Sequence, residues 1–175
     1  VDSHDLGVAG VVVGRVAHRG RMAPRRSSVE HGLARCRHAA YLHAMSMHPP
    51  RTHARIDHGL CGTPRSLGEG TAEVELSLTE IMRVDDSGLT HGGFTFGLAD
   101  HAAMLAVNEP TVVLAEASMR FLAPTVVGDL LLARARVSEA AGKRRAVVVE
   151  VRRGDALVAE GSFACAVPSR HVLQR

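Results

Sequence analysis

The chain is predicted to fold as an α+β domain in which one long helix is wrapped by a curved antiparallel sheet. Three observations in its 175 residues support this. A helical stretch at about 91–107 is apolar on most of its sides, so it must be covered nearly all round. Four strand-like runs follow it without interruption, separated by short turns of Gly, Pro, Asp and Lys, which makes antiparallel neighbours. Ahead of it, Thr71-Ala72-Glu73-Val74-Glu75-Leu76-Ser77-Leu78 alternates with the period of a half-buried strand.

In chain order, residues 1–54 differ from everything after them. They hold eight Arg against three acids, and seven of the eleven His, whereas residues 55–175 hold thirteen Lys or Arg against fifteen acids. The overall charge of +3 therefore resides in the N-terminal third, and the near-neutral remainder lacks the basic face of a nucleic-acid-binding body. Residues 1–52 are expected to be a basic His/Arg-rich extension, disordered or translated from upstream of a later start at Met45 or Met47. A short helix within 28–46 is compatible with Val29, Leu33 and Ala40 to Leu42. His38, His43, His48, His53 and His58 recur every five residues, a step that scatters side chains around a helix axis, and Pro49-Pro50 breaks any such helix. This spacing supplies no convergent metal ligands.

Residues 53–175 are expected to form one domain. Ile56 to Gly62 predicts a short helix ending at glycine. The alternating strand at 71–78 and a loop with Asp85, Asp86, Ser87 and Gly88 come next, then the helix. The four later strands are expected at 112–122, 129–138, 145–152 and 156–167, the last two forming a hairpin at Arg153-Gly154-Asp155-Ala156. The core is rich in Ala and Val and poor in aromatics, with only four Phe and one Tyr, so its elements must pack closely. Three cysteines without close spacing form neither a disulfide framework nor a zinc pattern, and a reducing cytoplasm is the simplest setting. The apolar run from Leu6 to Val13, interrupted by Gly, resembles neither a signal peptide nor a membrane span. Glycine patterns for phosphate or dinucleotide binding are absent, and no cofactor is expected.

Chemistry concentrates in Thr90-His91-Gly92-Gly93-Phe94-Thr95-Phe96-Gly97-Leu98-Ala99-Asp100. The first amides of a helix lack internal partners and, with the helix dipole, attract negative charge. Gly92 and Gly93 are expected to leave two bare amides at the tip, open to an incoming carbonyl oxygen. Asp100 is a lone acid in an otherwise apolar helix, costly unless paired or used. The alternative readings are a tight glycine turn and a structural acid bonded to a neighbouring strand. Eight residues separate Gly92 from Asp100, about 12 Å along one helix axis. One small reacting centre cannot touch both. If both act in one site, the second must come from another copy, in a two-fold dimer with two shared sites.

His91-Gly92-Gly93 followed by Leu98-Ala99-Asp100 resembles the signature of hotdog-fold acyl-CoA thioesterases of the phenylacetate-pathway type. The resemblance covers roughly residues 53–173, including Phe121-Leu122-Ala123-Pro124, Gly128-Asp129 and Ala133 to Val137. It implies a hotdog fold, with dimers joined edge to edge through their sheets and pairing into tetramers left open. It implies hydrolysis of an acyl-CoA, with Asp100 as general base on water or as nucleophile through an anhydride. The Gly92 amide would polarise the thioester carbonyl, with Gly93 and His91 shaping that pocket, and the two functions would come from opposite subunits. Neither nucleic acid nor membrane is an expected partner. Where many members carry Asn in the preceding loop, this chain has Asp85, which offers acceptors only, so Asp85 is taken as site-lining. The competing reading is a non-catalytic acyl-CoA sensor, but such a module has no need for an acid at position 100.

Overall fold

The computed structural model describes residues 48–174. The predicted helix within 28–46 and most of the expected extension lie outside the described residues. The elements are helix α1 (His58–Cys61), strands β1 (Thr63–Gly68) and β2 (Thr71–Ser77), a 3-10 turn (Glu80–Met82) and helix α2 (Gly92–Val107). Strands β3 (Val113–Phe121), β4 (Leu130–Ala141), β5 (Arg144–Arg153) and β6 (Ala156–Ala166) follow. All pairings are antiparallel in one six-stranded sheet, ordered β1-β2-β4-β5-β6-β3.

The expected α+β arrangement is present, and α2 has no solvent face. Thr95, Leu98, Ala99 and every residue from His101 to Ala106 are buried. Every strand touches this helix. Six strands at about 4.8 Å spacing span roughly 24 Å, while a helix is about 10 Å across, so the sheet must curl to reach round it. Register shifts at Pro64/Ser66, Leu114/Glu116, Val137/Glu139 and Val151/Arg152 supply local bends. Alternation selects the inner face: Ala72, Val74 and Leu76 on β2, Leu131, Ala133 and Ala135 on β4, Val147, Val149 and Val151 on β5. Facing them, Ala99, Ala102, Ala103 and Ala106 let the helix approach the sheet closely.

Two features depart from the sequence reading. β1 was absent from the expected order because Thr63-Pro64-Arg65-Ser66-Leu67-Gly68 does not alternate. It survives as an edge strand, where Pro64 costs no ladder bond on its open side, and Leu67 alone is buried. β3 and β4 are consecutive in the chain but are not neighbours; β3 crosses to the far edge beside β6. The crossover, including Pro124 to Gly128, is pinned to the segment before α2. The Thr90 N–H and hydroxyl both donate to the Thr125 carbonyl, at 2.9 and 3.0 Å, and the Val127 N–H donates to the Gly88 carbonyl at 2.9 Å.

Residues 48–53 run as a strap along the domain. The His48 N–H donates to the Leu67 carbonyl at 3.2 Å. Asn108, the left-handed C-cap of α2, accepts the Arg51 N–H on Oδ1 at 2.7 Å and donates Nδ2 to the Pro49 carbonyl at 3.1 Å. Thr52 is buried.

Gly62 closes α1 at φ 92°, where an added Cβ would stand 2.7 Å from Leu98 Cδ1 and 2.8 Å from Val74 Cγ1. Gly88 has a similar φ of 82° but nothing within 4 Å of that position. Gly62→Ala should therefore cost backbone strain plus overpacking, about 3 kcal/mol, and Gly88→Ala strain alone, about 1–2 kcal/mol. Urea denaturation of the two variants checks this, and equal midpoints would contradict the packing argument.

Candidate active site

Helix α2 begins where His91 turns out of the helical region, at φ −68° and ψ 127°. Its Nδ1 accepts the Gly93 N–H at 2.9 Å, an N-cap made by an imidazole. Gly93 is required by that cap, because a Cβ there would stand 2.7 Å from His91 Nδ1. The expectation of two bare amides is thus corrected: the Gly93 amide is engaged by the adjacent cap residue. No acceptor among the described residues engages the Gly92 N–H. Beside it lies the Phe121 ring, whose Cε1 would be 3.4 Å from a Cβ on Gly92.

The loop before the tip is closed by Asp85. Its Oδ1 accepts the Ser87 hydroxyl at 2.6 Å, the Ser87 N–H at 3.0 Å and the Leu89 N–H at 3.2 Å. The Ser87 hydroxyl, with these amides, holds the Asp85 carboxyl below the usual carboxylate range. An acid serves here because the turn demands acceptors only, and the His91 N–H is then fixed on the Met82 carbonyl at 2.9 Å.

Asp100 lies two turns further along α2. Its Oδ1 is buried and has no hydrogen-bond partner, and no strand residue bonds the carboxylate among the described residues. The reading of Asp100 as a structural acid tied to a strand therefore finds no support. Burial pushes its carboxyl above the usual value, and the neighbouring His53 opposes this to a smaller extent. Burial likewise lowers His53, with Asp100 raising it in part.

Around His101, the residue after Asp100, the sequence reading missed a cluster. The His53 and His58 rings lie 6.3 and 6.0 Å from that of His101, which is buried with Nδ1 3.0 Å from the Cys61 carbonyl. Two of the five evenly spaced histidines thus converge, because residues 52–57 form a turn and the helical scatter does not apply. The thiols nearby are poor nucleophiles. Burial, then the Asp100 charge, pushes Cys165 up to about 11 and raises Cys61 in the same sense. Phe121 carries no local sequence signal that would place its ring beside Gly92. A separate concavity of about 560 Å³ on the outer sheet face, lined by Arg120, Arg134, Arg136, Glu150 and Glu160, holds none of these groups.

Residues 87–160 match the family model described as the thioesterase superfamily, a span containing the α2 tip and Asp100. The methylthioribose-1-phosphate isomerase of Aquifex aeolicus is 52% identical over 113 residues, 65% of this chain and 25% of that protein. The chain thus spans a quarter of the length of that curated relative. The crystal structure of uncharacterized protein PH1136 from Pyrococcus horikoshii is 52% identical, covers 73% of this chain and 98% of its own, and has a TM-score of 0.72. A mutant of phenylacetic acid degradation protein PaaI from Thermus thermophilus is 29% identical, covers 62% and 95%, and has a TM-score of 0.58.

The unpartnered carboxylate sets a stability prediction. Because burial raises the folded-state pKa of Asp100, its penalty is absent below the usual carboxylate value and grows as pH rises through the raised one. Asp100→Asn should therefore melt about 2–4 °C higher than wild type at pH 7.5, an effect of about 1 kcal/mol, with the gap closing towards pH 4. Thermal melts at the two pH values decide it; a lower-melting variant with a pH-independent gap would mean the carboxylate is satisfied.

Proposed function

This chain belongs to the thioesterase superfamily, and on that premise we propose that it hydrolyses acyl-CoA thioesters to the free acid and CoA, at a site shared by two copies. One observation carries the reading: a free helix-tip amide and an unpartnered carboxylate occupy one helix about 12 Å apart, too far to meet at one carbonyl carbon. An antiparallel pair of α2 helices brings Gly92 of one copy opposite the acid of the other.

In this mechanism Asp100 takes a proton from water as the water oxygen attacks the thioester carbonyl carbon. The negative charge that develops on the carbonyl oxygen is held by the Gly92 amide, reinforced by the helix dipole. Collapse breaks the carbon–sulfur bond; the electron pair leaves with the thiolate, and the proton on Asp100 passes to it. A raised carboxyl pKa makes Asp100 a stronger base than an exposed acid. Its ionised form is the working one, so activity rises with pH through that value and then levels. His91 and Gly93 shape the pocket by fixing the tip so that the Gly92 amide alone projects, and Asp85 lines it by closing the loop before it. Direct attack by Asp100 through an anhydride uses the same groups; label found in the Asp100 carboxylate after a single turnover in labelled water would identify that route, since the general-base route puts label only into the product acid.

Two variants dissect the site. Asp100→Asn should lower thiol release from an acyl-CoA panel about a hundredfold or more. Gly92→Pro removes the amide donor at the first helical position, where proline is tolerated, and His91 already has the extended ψ that precedes proline. It should keep the fold and lose about 10²–10³ in kcat. Mixing the two inactive variants as refolded dimers should then restore about a quarter of wild-type activity, since half the dimers are mixed and each carries one intact site. Absence of any restoration would contradict the shared site, and tight acyl-CoA binding without turnover by the wild type would favour a sensor.

A further inference from the structure

The crossover between β3 and β4 has little apolar burial to hold it. Within residues 122–129 Thr125 alone is buried, and Leu122, Pro124, Val126 and Gly128 are exposed. Its restraints are polar. Val126 to Asp129 form a turn, closed by the Asp129 N–H on the Val126 carbonyl at 3.1 Å, with Gly128 at φ 91° where the turn needs a left-handed residue. The Asp129 carboxylate folds back over this turn, and its Oδ2 accepts the Val126 N–H at 2.9 Å. Arg153, at the end of β5, donates Nη1 to the same Oδ2 at 2.8 Å and to the Pro124 carbonyl at 3.4 Å. One guanidinium nitrogen thus ties both ends of the turn region together. The Asp129 side chain is only 15% exposed, so this pair is screened less than one at the open surface.

The locked crossover is in turn matched, residue by residue, to the segment that leads into the α2 tip. Val127 bonds to Gly88, Val126 pairs with Leu89, and the Thr125 carbonyl takes both the N–H and the hydroxyl of Thr90. Since the Thr90 hydroxyl is the donor there, the Thr125 hydroxyl donates in the 2.8 Å contact between the two side chains. Both threonines are buried. His91, the cap of α2, follows directly, and Gly92 with its unengaged amide comes next.

We propose that Asp129, locked by Arg153, is a positioning residue for the Gly92 amide: the ion pair fixes the crossover, and the crossover fixes the direction in which that amide projects. The inference rests on the reading of Gly92 as the donor to the thioester oxygen. It gives the β5–β6 hairpin, far along the chain from α2, a role in the reaction.

The test is Arg153→Met, which keeps an unbranched stem and removes the donors, beside Asp129→Asn, with Arg153→Lys as the conservative variant. The first two should lower kcat about tenfold and change KM by less than about twofold, because a displaced oxyanion donor weakens the transition state more than the bound substrate. Arg153→Lys keeps a cation for Asp129 Oδ2 and should recover part of the loss. The Gly92 amide resonance in nitrogen-15 NMR should move in the same variants. In a Gly92→Pro background Arg153→Met should cost no further activity, since the amide it positions is already gone. Folded variants with wild-type kcat and an unmoved Gly92 resonance would overturn the proposal, as would a full additional loss in the Gly92→Pro background. A wild type that hydrolyses no thioester would sink the functional reading instead, with the Gly92 resonance still deciding whether the pair sets the tip.

Discussion

The burial of α2 on nearly every side is the constraint on which the other features depend. A helix without a solvent face must be covered by something able to reach round it, and one curled sheet does this with all six strands. Close approach then dictates composition: the facing positions are Ala on the helix and, apart from Leu131, Ala or Val on β4 and β5. The same enclosure acts on every polar group the helix carries. Thr95 and His101 are buried with it, and Asp100 is desolvated by it. The apolar wrapping that secures the helix is thus also what raises the Asp100 carboxyl pKa.

The tip shows a second economy. A helix start ordinarily leaves several amides unsatisfied, and a side-chain cap satisfies some of them. Here the cap is His91, reaching back to the Gly93 amide, and the glycine is needed because any side chain would collide with the imidazole. The cap narrows the donors to one at Gly92. On the proposed reading, a single amide pointing out of a fixed turn gives an incoming carbonyl oxygen one position at which to bind. The crossover between β3 and β4 strengthens this by bonding Thr125 to Thr90, and Phe121 at the end of β3 sets its ring against Gly92.

Local chemistry made much of this legible in the sequence. The apolar helix from 91 to 107, the alternating strand at 71–78 and the Gly-marked hairpins each declare themselves within a dozen residues, and the structure places them within a few residues of expectation. His91, Gly92, Gly93 and Asp100 stood out because glycines at a helix start and an acid inside an apolar run are locally anomalous. What was hidden depends on distant parts of the chain. β1 has no period of its own and is a strand only because β2 offers it an edge. β3 pairs with β6 through a crossover that no turn signal reveals. The reversal of His91 onto the Gly93 amide is a side-chain rotation, and the His53 ring lies 6.3 Å from that of His101 on a strap that Asn108 fastens from far along the chain.

Support for Asp100 could not easily have come from α2 itself. The positions that share its face one turn away are Phe96, Gly97, Ala103 and Met104, and the sheet and α1 pack against this helix. A Cβ at Gly97 would meet Cys61 Sγ at 3.8 Å, so a side chain there would pack against α1. A Lys or Arg at 103 or 104 would enter the covered interior and form a fixed ion pair, which would lower the Asp100 pKa and tie down the lone pair that a base must offer. His53, from a separate segment and itself lowered by burial, opposes the rise in the Asp100 pKa to a smaller extent than burial causes it. On the proposed reading of Asp100 as the base, an unpaired and buried carboxylate oxygen is what leaves a lone pair free for the water proton.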